Sequence, residues 1–220
     1  MKSDGSVDPD ATSLNQIESL LRARRNEAAE QAARKLMARS DGVEGHILLG
    51  RALLQQGHWQ DALHAVDAAR RKVSRHPAAT LLYVECLLQS DQYGCGIDEL
   101  AVLEREAASH PRLLQDVGRL YSHLNLHAEA ERCHARAAAL TPGEPQALYN
   151  WATSSIALGR LDVAEELLTR VIGLAPHDHD AYYNRSTLRR QTAERNHVRE
   201  LMQILSRPSC QPVPKPRPSS

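Results

Sequence analysis

Phenylalanine is absent from this sequence, and aromatic residues of all kinds fill only 4% of its 220 positions. Sheets favour aromatic and β-branched side chains, so the scarcity argues against a β-rich core, whereas alanine, the commonest residue, suits close helix packing. Net charge is missing too. Lys+Arg total 27 against 27 Asp+Glu, so no whole-molecule field draws the chain to nucleic acid or to an anionic membrane. No apolar run approaches the ~20 residues of a membrane span, and residues 1–13, MKSDGSVDPDATS, lack the apolar centre of a signal peptide. A cytoplasmic location is the expectation. The four cysteines, Cys86, Cys95, Cys133 and Cys210, form no Cys-x-x-Cys pair and read as reduced, packing or incidental thiols. Phosphate-binding, dinucleotide, nucleophile-elbow and His-Glu-x-x-His zinc motifs are all wanting, so no catalytic residue, cofactor or metal is expected, and the chain is read as a non-enzyme.

What is present is a period. With 42% hydrophobic and 25% charged residues the composition is that of a soluble globular protein, and a shift of 34 residues brings the sequence onto itself. Leu49, Tyr83, Val117 and Trp151 align; so do Gly50, Val84, Gly118 and Ala152, then Leu53, Leu87, Tyr121 and Ser155. These rows predict the buried stripe of a first helix. Gly57, Asp91, Asn125 and Gly159 share the next register and predict a helix-ending turn with a left-handed residue. Beyond it Ala28, Ala62, Gly96, Ala130 and Ala164 predict the close contact of a second helix with the first, where a bulky residue would hold the pair apart. Pro142 and Pro176, with His76-Pro77 and His110-Pro111, mark the boundary at which one helix stops before the next begins.

This pattern resembles the tetratricopeptide repeat, a helix-turn-helix unit of 34 residues; residues 146–176 carry its motif as Leu148, Trp151, Ala152, Gly159, Leu161, Ala164, Leu168, Val171 and Pro176. The resemblance implies an all-α, right-handed superhelix, an α-solenoid of five to six units. Repeats are expected at 43–76, 77–110, 111–144 and 145–178, with a degenerate unit at 9–42 and a partial capping unit at 179–206. In the last unit Arg185, Ser186 and Arg189 replace the apolar stripe, as expected where a solenoid end meets water, while Val198, Met202 and Leu205 keep it in the second helix. Residues 1–8 are expected to be disordered, as is the proline-rich tail 207–220.

Residues opposite the buried stripe of each first helix are expected to line a concave wall: Glu44, Arg51, Glu85, Arg112, Asp116 and Arg119, then Tyr149, Asn150, Thr153, Tyr183, Asn184, Thr187, Arg190 and Gln191. Tyr149-Asn150-x-x-Thr153 recurs one period later as Tyr183-Asn184-x-x-Thr187. An asparagine amide can donate to and accept from an extended peptide, and in the resembled family an Asn at this position often grips one; equally, Tyr-Asn follows the family's consensus here. The candidate peptide-binding set is therefore Arg119, Tyr149, Asn150, Thr153, Tyr183, Asn184, Thr187 and Arg190. The family's carboxylate clamp for chaperone C-terminal peptides is not present as a set, since its lysine position holds Ile47, Leu81, Gln115, Tyr149 and Tyr183. The expected partner is a protein or peptide, acidic or C-terminal because of the arginines, with no nucleic acid and no membrane. Residues 185–220 carry eight basic against two acidic side chains, read first as a solvated cationic end.

Other constellations read as structural. His177-Asp178-His179-Asp180 is expected to be a solvated loop and helix N-cap rather than a metal site, His123 and His127 surface residues, and His134 a packed, neutral histidine. The tail's prolines do not fall three apart as P-x-x-P requires. Residues 179–198 also resemble the junction preceding a sulfotransferase domain in bacterial tetratricopeptide proteins, which implies as an alternative a non-catalytic module whose enzymatic partner domain is not in this sequence.

Overall fold

The structure is a computed structural model that describes residues 9–190, 192 and 196–205. Among them are twelve α-helices and no strand: α1 (Pro9–Arg22), α2 (Asn26–Met37), α3 (Val43–Gln55), α4 (Trp59–Lys72), α5 (Pro77–Gln89), α6 (Tyr93–Glu106), α7 (Pro111–His123), α8 (His127–Leu140), α9 (Pro145–Ala157), α10 (Leu161–Leu174), α11 (His179–Thr187) and α12 (Val198–Leu205). They fall into two compact units, α1–α7 through Asn125 and α8–α12 from Leu126 onward. The expectations of disorder at 1–8 and 207–220, and the wall residue Gln191, lie outside the described residues.

Within the first unit each helix packs on the next, and the odd-numbered helices also touch in series, α1 on α3, α3 on α5 and α5 on α7. That is how a helical solenoid stacks, each pair burying a face it cannot bury alone. In the second unit α8 packs on α9, α9 on α10 and α10 on α11. The fold class is all-α, built of consecutive helix pairs.

The turns follow from one backbone device. Arg24, Gly57, Asp91, Asn125 and Gly159 have φ of 57°, 84°, 58°, 58° and 71°, the left-handed region that lets a chain reverse after a helix. After α3, His58 N donates to Leu53 O at 3.0 Å and Gly57 N to Leu54 O at 3.0 Å, a Schellman pair that satisfies two orphan carbonyls. The same pair recurs after α1, α5 and α9: Arg25 N to Leu20 O at 2.9 Å, Gln92 N to Leu87 O at 3.0 Å and Arg160 N to Ser155 O at 2.8 Å lead each. The sequence did not point to Arg24, whose side chain gives no hint of a left-handed backbone.

Two positions correct the repeat register. Second helices begin at Asn26, Trp59, Tyr93, His127 and Leu161, so the first pair is one residue out of step with the others. The small residue at the helix contact is accordingly Ala29, fully buried, and not the half-buried Ala28; Ala62, Ala130 and Ala164 are fully buried as expected, and Gly96 is buried. Pro77 and Pro111 do not stop the preceding helix. They sit at the first turn of α5 and α7, as Pro145 does in α9, where the missing N–H costs nothing.

Of the expected stripe, Leu53, Leu87, Tyr121 and Ser155 are each at most 3% exposed, while Tyr83 and Trp151 are half-buried. The C-terminal end departs from expectation. Arg185 is 4% exposed rather than solvated, because α12 covers it; its guanidinium pairs with Glu200 and donates to Thr169 Oγ1 at 3.3 Å. Among the α12 residues whose side chains are described, Leu201 packs on the second unit's core, while Val198 and Met202 are 57% and 64% exposed; the side chain of Leu205 lies outside those described. Cys86 and Cys133 are buried, but Cys95 is exposed.

Candidate functional site

In the second unit the repeated Tyr-Asn-x-x-Thr triplets stand on α9 and α11. Spacing of one and four residues puts Tyr149, Asn150 and Thr153 on neighbouring faces of α9, and Tyr183, Asn184 and Thr187 likewise on α11. The two helices are joined directly: Asn184 Nδ2 donates to the Tyr149 hydroxyl at 2.6 Å, both residues half-buried. Burial raises the Tyr149 phenol above its ordinary range, with Asp180 and Asp178 adding and the Asn184 bond opposing. Asn150 accepts from Gln146 Nε2 at 2.9 Å through its side-chain oxygen. Both threonines turn onto their own helices, Thr153 Oγ1 to Tyr149 O at 3.0 Å and Thr187 Oγ1 to Tyr183 O at 3.0 Å. Tyr183 is 68% exposed, a large apolar surface beside that network, and Arg190 is exposed just beyond α11.

Arg119 is apart from these residues in the chain's organisation, since α7 belongs to the first unit. There it pairs with Glu85 at 2.8 Å. The two of them, with Arg51 and Asp116, line a cavity of about 440 Å³ walled by α3, α5 and α7, together with Leu54 and Leu81. A second hollow of about 370 Å³ shares Leu54, Glu85 and Arg119 and adds Leu88, Leu120 and the exposed Tyr93. Desolvation in the first cavity raises the Asp116 carboxyl; Arg119 and Arg51 pull it down and Glu85 adds to the rise. Sequence reasoning placed all four charged residues on the concave wall and took Arg119 alone of them into the candidate peptide-binding set. A recurring Tyr-Asn pair is visible as a word; a cavity assembled from Arg, Glu, Asp and Arg on three helices is not.

Three further polar residues of the second unit are held by contacts within it. His134, 4% exposed, shares a 2.8 Å hydrogen bond between Nδ1 and Ser154 Oγ. Glu131 of α8 accepts from Ser155 Oγ at 2.9 Å and from Arg160 Nη1 at 2.6 Å, tying α8 to the turn between α9 and α10. Asp178 caps α11 by accepting from Ala181 N at 3.0 Å. Among the described residues no three His, Cys, Asp or Glu side chains group as metal ligands would, and no helix is long and apolar enough to cross a membrane.

Comparison with known proteins bears on the repeats. Residues 47–111 match the tetratricopeptide repeat family. A thermophilic tetratricopeptide protein of Thermus thermophilus is 20% identical, with a TM-score of 0.65 over 81% of this chain and 98% of that one. MamA residues 41 to the end, from Desulfovibrio magneticus RS-1, are 20% identical with a TM-score of 0.57, covering 78% of this chain and 98% of that one. YrrB, described as a tetratricopeptide protein with an unusual peptide-binding site, is 16% identical with a TM-score of 0.53, over 78% and 89% of the two chains. These likenesses establish the fold. No curated protein matches the chain, and the sulfotransferase-junction resemblance of residues 179–198 gains no support from the family match, which ends at residue 111.

Proposed function

Starting from a chain that carries tetratricopeptide repeats, we propose that it is a protein-interaction scaffold that binds a peptide segment and catalyses no reaction of its own. The proposed peptide contacts are Tyr149, Asn150, Thr153, Tyr183, Asn184, Thr187 and Arg190 in the second unit. The observation that carries the reading is the Asn184–Tyr149 bond. It locks two helix faces together and spends one amide hydrogen, leaving the Asn184 carbonyl oxygen to accept from a peptide N–H. The exposed Tyr183 ring adds apolar area at the cost of two side-chain torsions, and Arg190 supplies a charge-assisted contact to a carboxylate. An acidic or C-terminal peptide is the proposed ligand type.

The test is fluorescence polarisation with an acidic nonapeptide bearing a free C-terminus. Truncating Asn150 and Asn184 together to Ala is expected to weaken its binding by ~1–3 kcal/mol, the cost of unpaired hydrogen-bonding groups, while far-UV circular dichroism stays unchanged. Unaltered binding in that variant, with loss of binding in Arg51→Ala, would move the site to the cavity between α3, α5 and α7.

A further inference from the structure

We propose that the first unit carries a second, separate binding cleft on α4, α5 and α6 that receives an arginine- or lysine-bearing segment of a partner protein. This inference does not rest on the Tyr-Asn set. Helices α4 and α6 both pack on α5, and a cavity of about 920 Å³ opens among the three. Seven of its thirteen lining residues are charged, beside the apolar Tyr83, Val102 and Leu103, so it suits a polypeptide segment that carries charged side chains.

The charges in the cleft decide the sign of the occupant. Arg70 lies 3.9 Å over the Tyr83 ring and pairs with Glu99 at 2.7 Å; Arg75 pairs with Glu106 at 2.7 Å. Each of these two guanidiniums is matched to one carboxylate within the protein. Asp67 and Asp98 on the same cavity have no ion-pair partner among the described residues, and they stand against one further guanidinium, that of the exposed Arg71. A chain with no net charge therefore presents here two uncommitted carboxylates to one uncommitted cation, together with the second oxygens of Glu99 and Glu106. Four carboxylates, Asp67, Asp98, Glu99 and Glu106, face three guanidiniums on this lining, and a further guanidinium or ammonium group balances the excess.

An unspent hydroxyl points the same way. Thr80 of α5 lines the cleft and is 6% exposed, yet its hydroxyl has no hydrogen-bond partner among the described residues. Thr153 and Thr169, also on helices, donate back to the carbonyl four residues earlier, the ordinary local solution for threonine. The Thr80 hydroxyl is reached from the cleft, where its oxygen can accept from an entering N–H.

The cleft contains its own reporter. Cys95 lines it and is exposed, whereas Cys86 and Cys133 are buried, so in a Cys210→Ser background alkylation by N-ethylmaleimide reports on this site. The probe is a blocked nonapeptide of alternating glycine and arginine, with the glutamate analogue as control. At ten times its dissociation constant the arginine peptide is expected to slow Cys95 alkylation about ten-fold. Asp67→Asn with Asp98→Asn, near-isosteric changes, should weaken the peptide by about ten-fold or more; Asp98→Asn alone should do so in part, and Asp61→Asn, elsewhere on α4, should have no effect. Asn150→Ala with Asn184→Ala should leave the protection intact, which separates this cleft from the proposed peptide site. Three outcomes would overturn the proposal: binding that leaves Cys95 as reactive as before, affinity unmoved by the paired aspartate change, or equal protection by the glutamate peptide.

Discussion

Gly50 of α3 is a closely packed point in the first unit, and adding one methyl there measures how closely the repeat is packed. A Cβ at position 50 would lie 2.9 Å from Val66 Cγ2, 3.0 Å from Leu82 Cδ2 and 3.4 Å from the Ala62 carbonyl oxygen. Carbon pairs prefer about 3.5–4.0 Å, so two contacts are too close by roughly 0.5–1 Å. Neither neighbour can swing away, since Val66 is fully buried and Leu82 is 2% exposed. Overpacking of this kind costs about 1–3 kcal/mol, against which alanine's better helix propensity returns about 0.8–1 kcal/mol. Gly45, in the same helix, is the control. There the nearest atom is Met37 Cγ at 3.1 Å, part of a flexible, half-buried thioether that can shift, so Gly45→Ala keeps most of the propensity gain. The two variants share a helix and a substitution, so effects on the unfolded chain largely cancel in their difference. Urea unfolding followed by far-UV circular dichroism is expected to place Gly50→Ala below Gly45→Ala by about 1–3 kcal/mol. A Gly50→Ala protein as stable as Gly45→Ala would refute the claim that α3 is pressed against α4 and α5 at this residue.

Two further substitutions probe the turns and the second unit. Arg24 holds φ of 57° with a full side chain, so Arg24→Gly should stabilise the protein by about 0.5–1 kcal/mol by relieving the left-handed backbone; a lower urea midpoint would contradict that account of the first turn. Ala164 is fully buried at the fourth position of α10, and Ala164→Leu should cost ~1–3 kcal/mol by forcing α10 from its neighbours; a melting temperature within a degree of the parent would show that the contact has room.

Periodicity determined the class of structure because it is a local property repeated. A 34-residue spacing of small residues, turn formers and apolar stripes is legible in one dimension, and Gly57, Asp91, Asn125 and Gly159 take up left-handed φ where that spacing put them. Where the period slips, the sequence misleads. Ala28 and Ala29 are both small and adjacent, and only the packing of α2 selects Ala29. The ends were opaque for a related reason: Arg185 looks like a solvated residue until α12 folds over it and Glu200 meets its charge, a contact across fifteen residues that no spacing rule announces.

The candidate sites divide along the same line. Tyr149, Asn150, Tyr183 and Asn184 could be read as a set because a word recurs, yet the bond that commits Asn184 to Tyr149 comes from how α9 and α11 lie together. In the cleft on α4, α5 and α6, the pairing of Arg70 with Glu99 and of Arg75 with Glu106 is what leaves Asp67 and Asp98 uncommitted. Composition reports only that acids and bases balance; which charges neutralise one another is a matter of distance, and distance exists only in the folded chain.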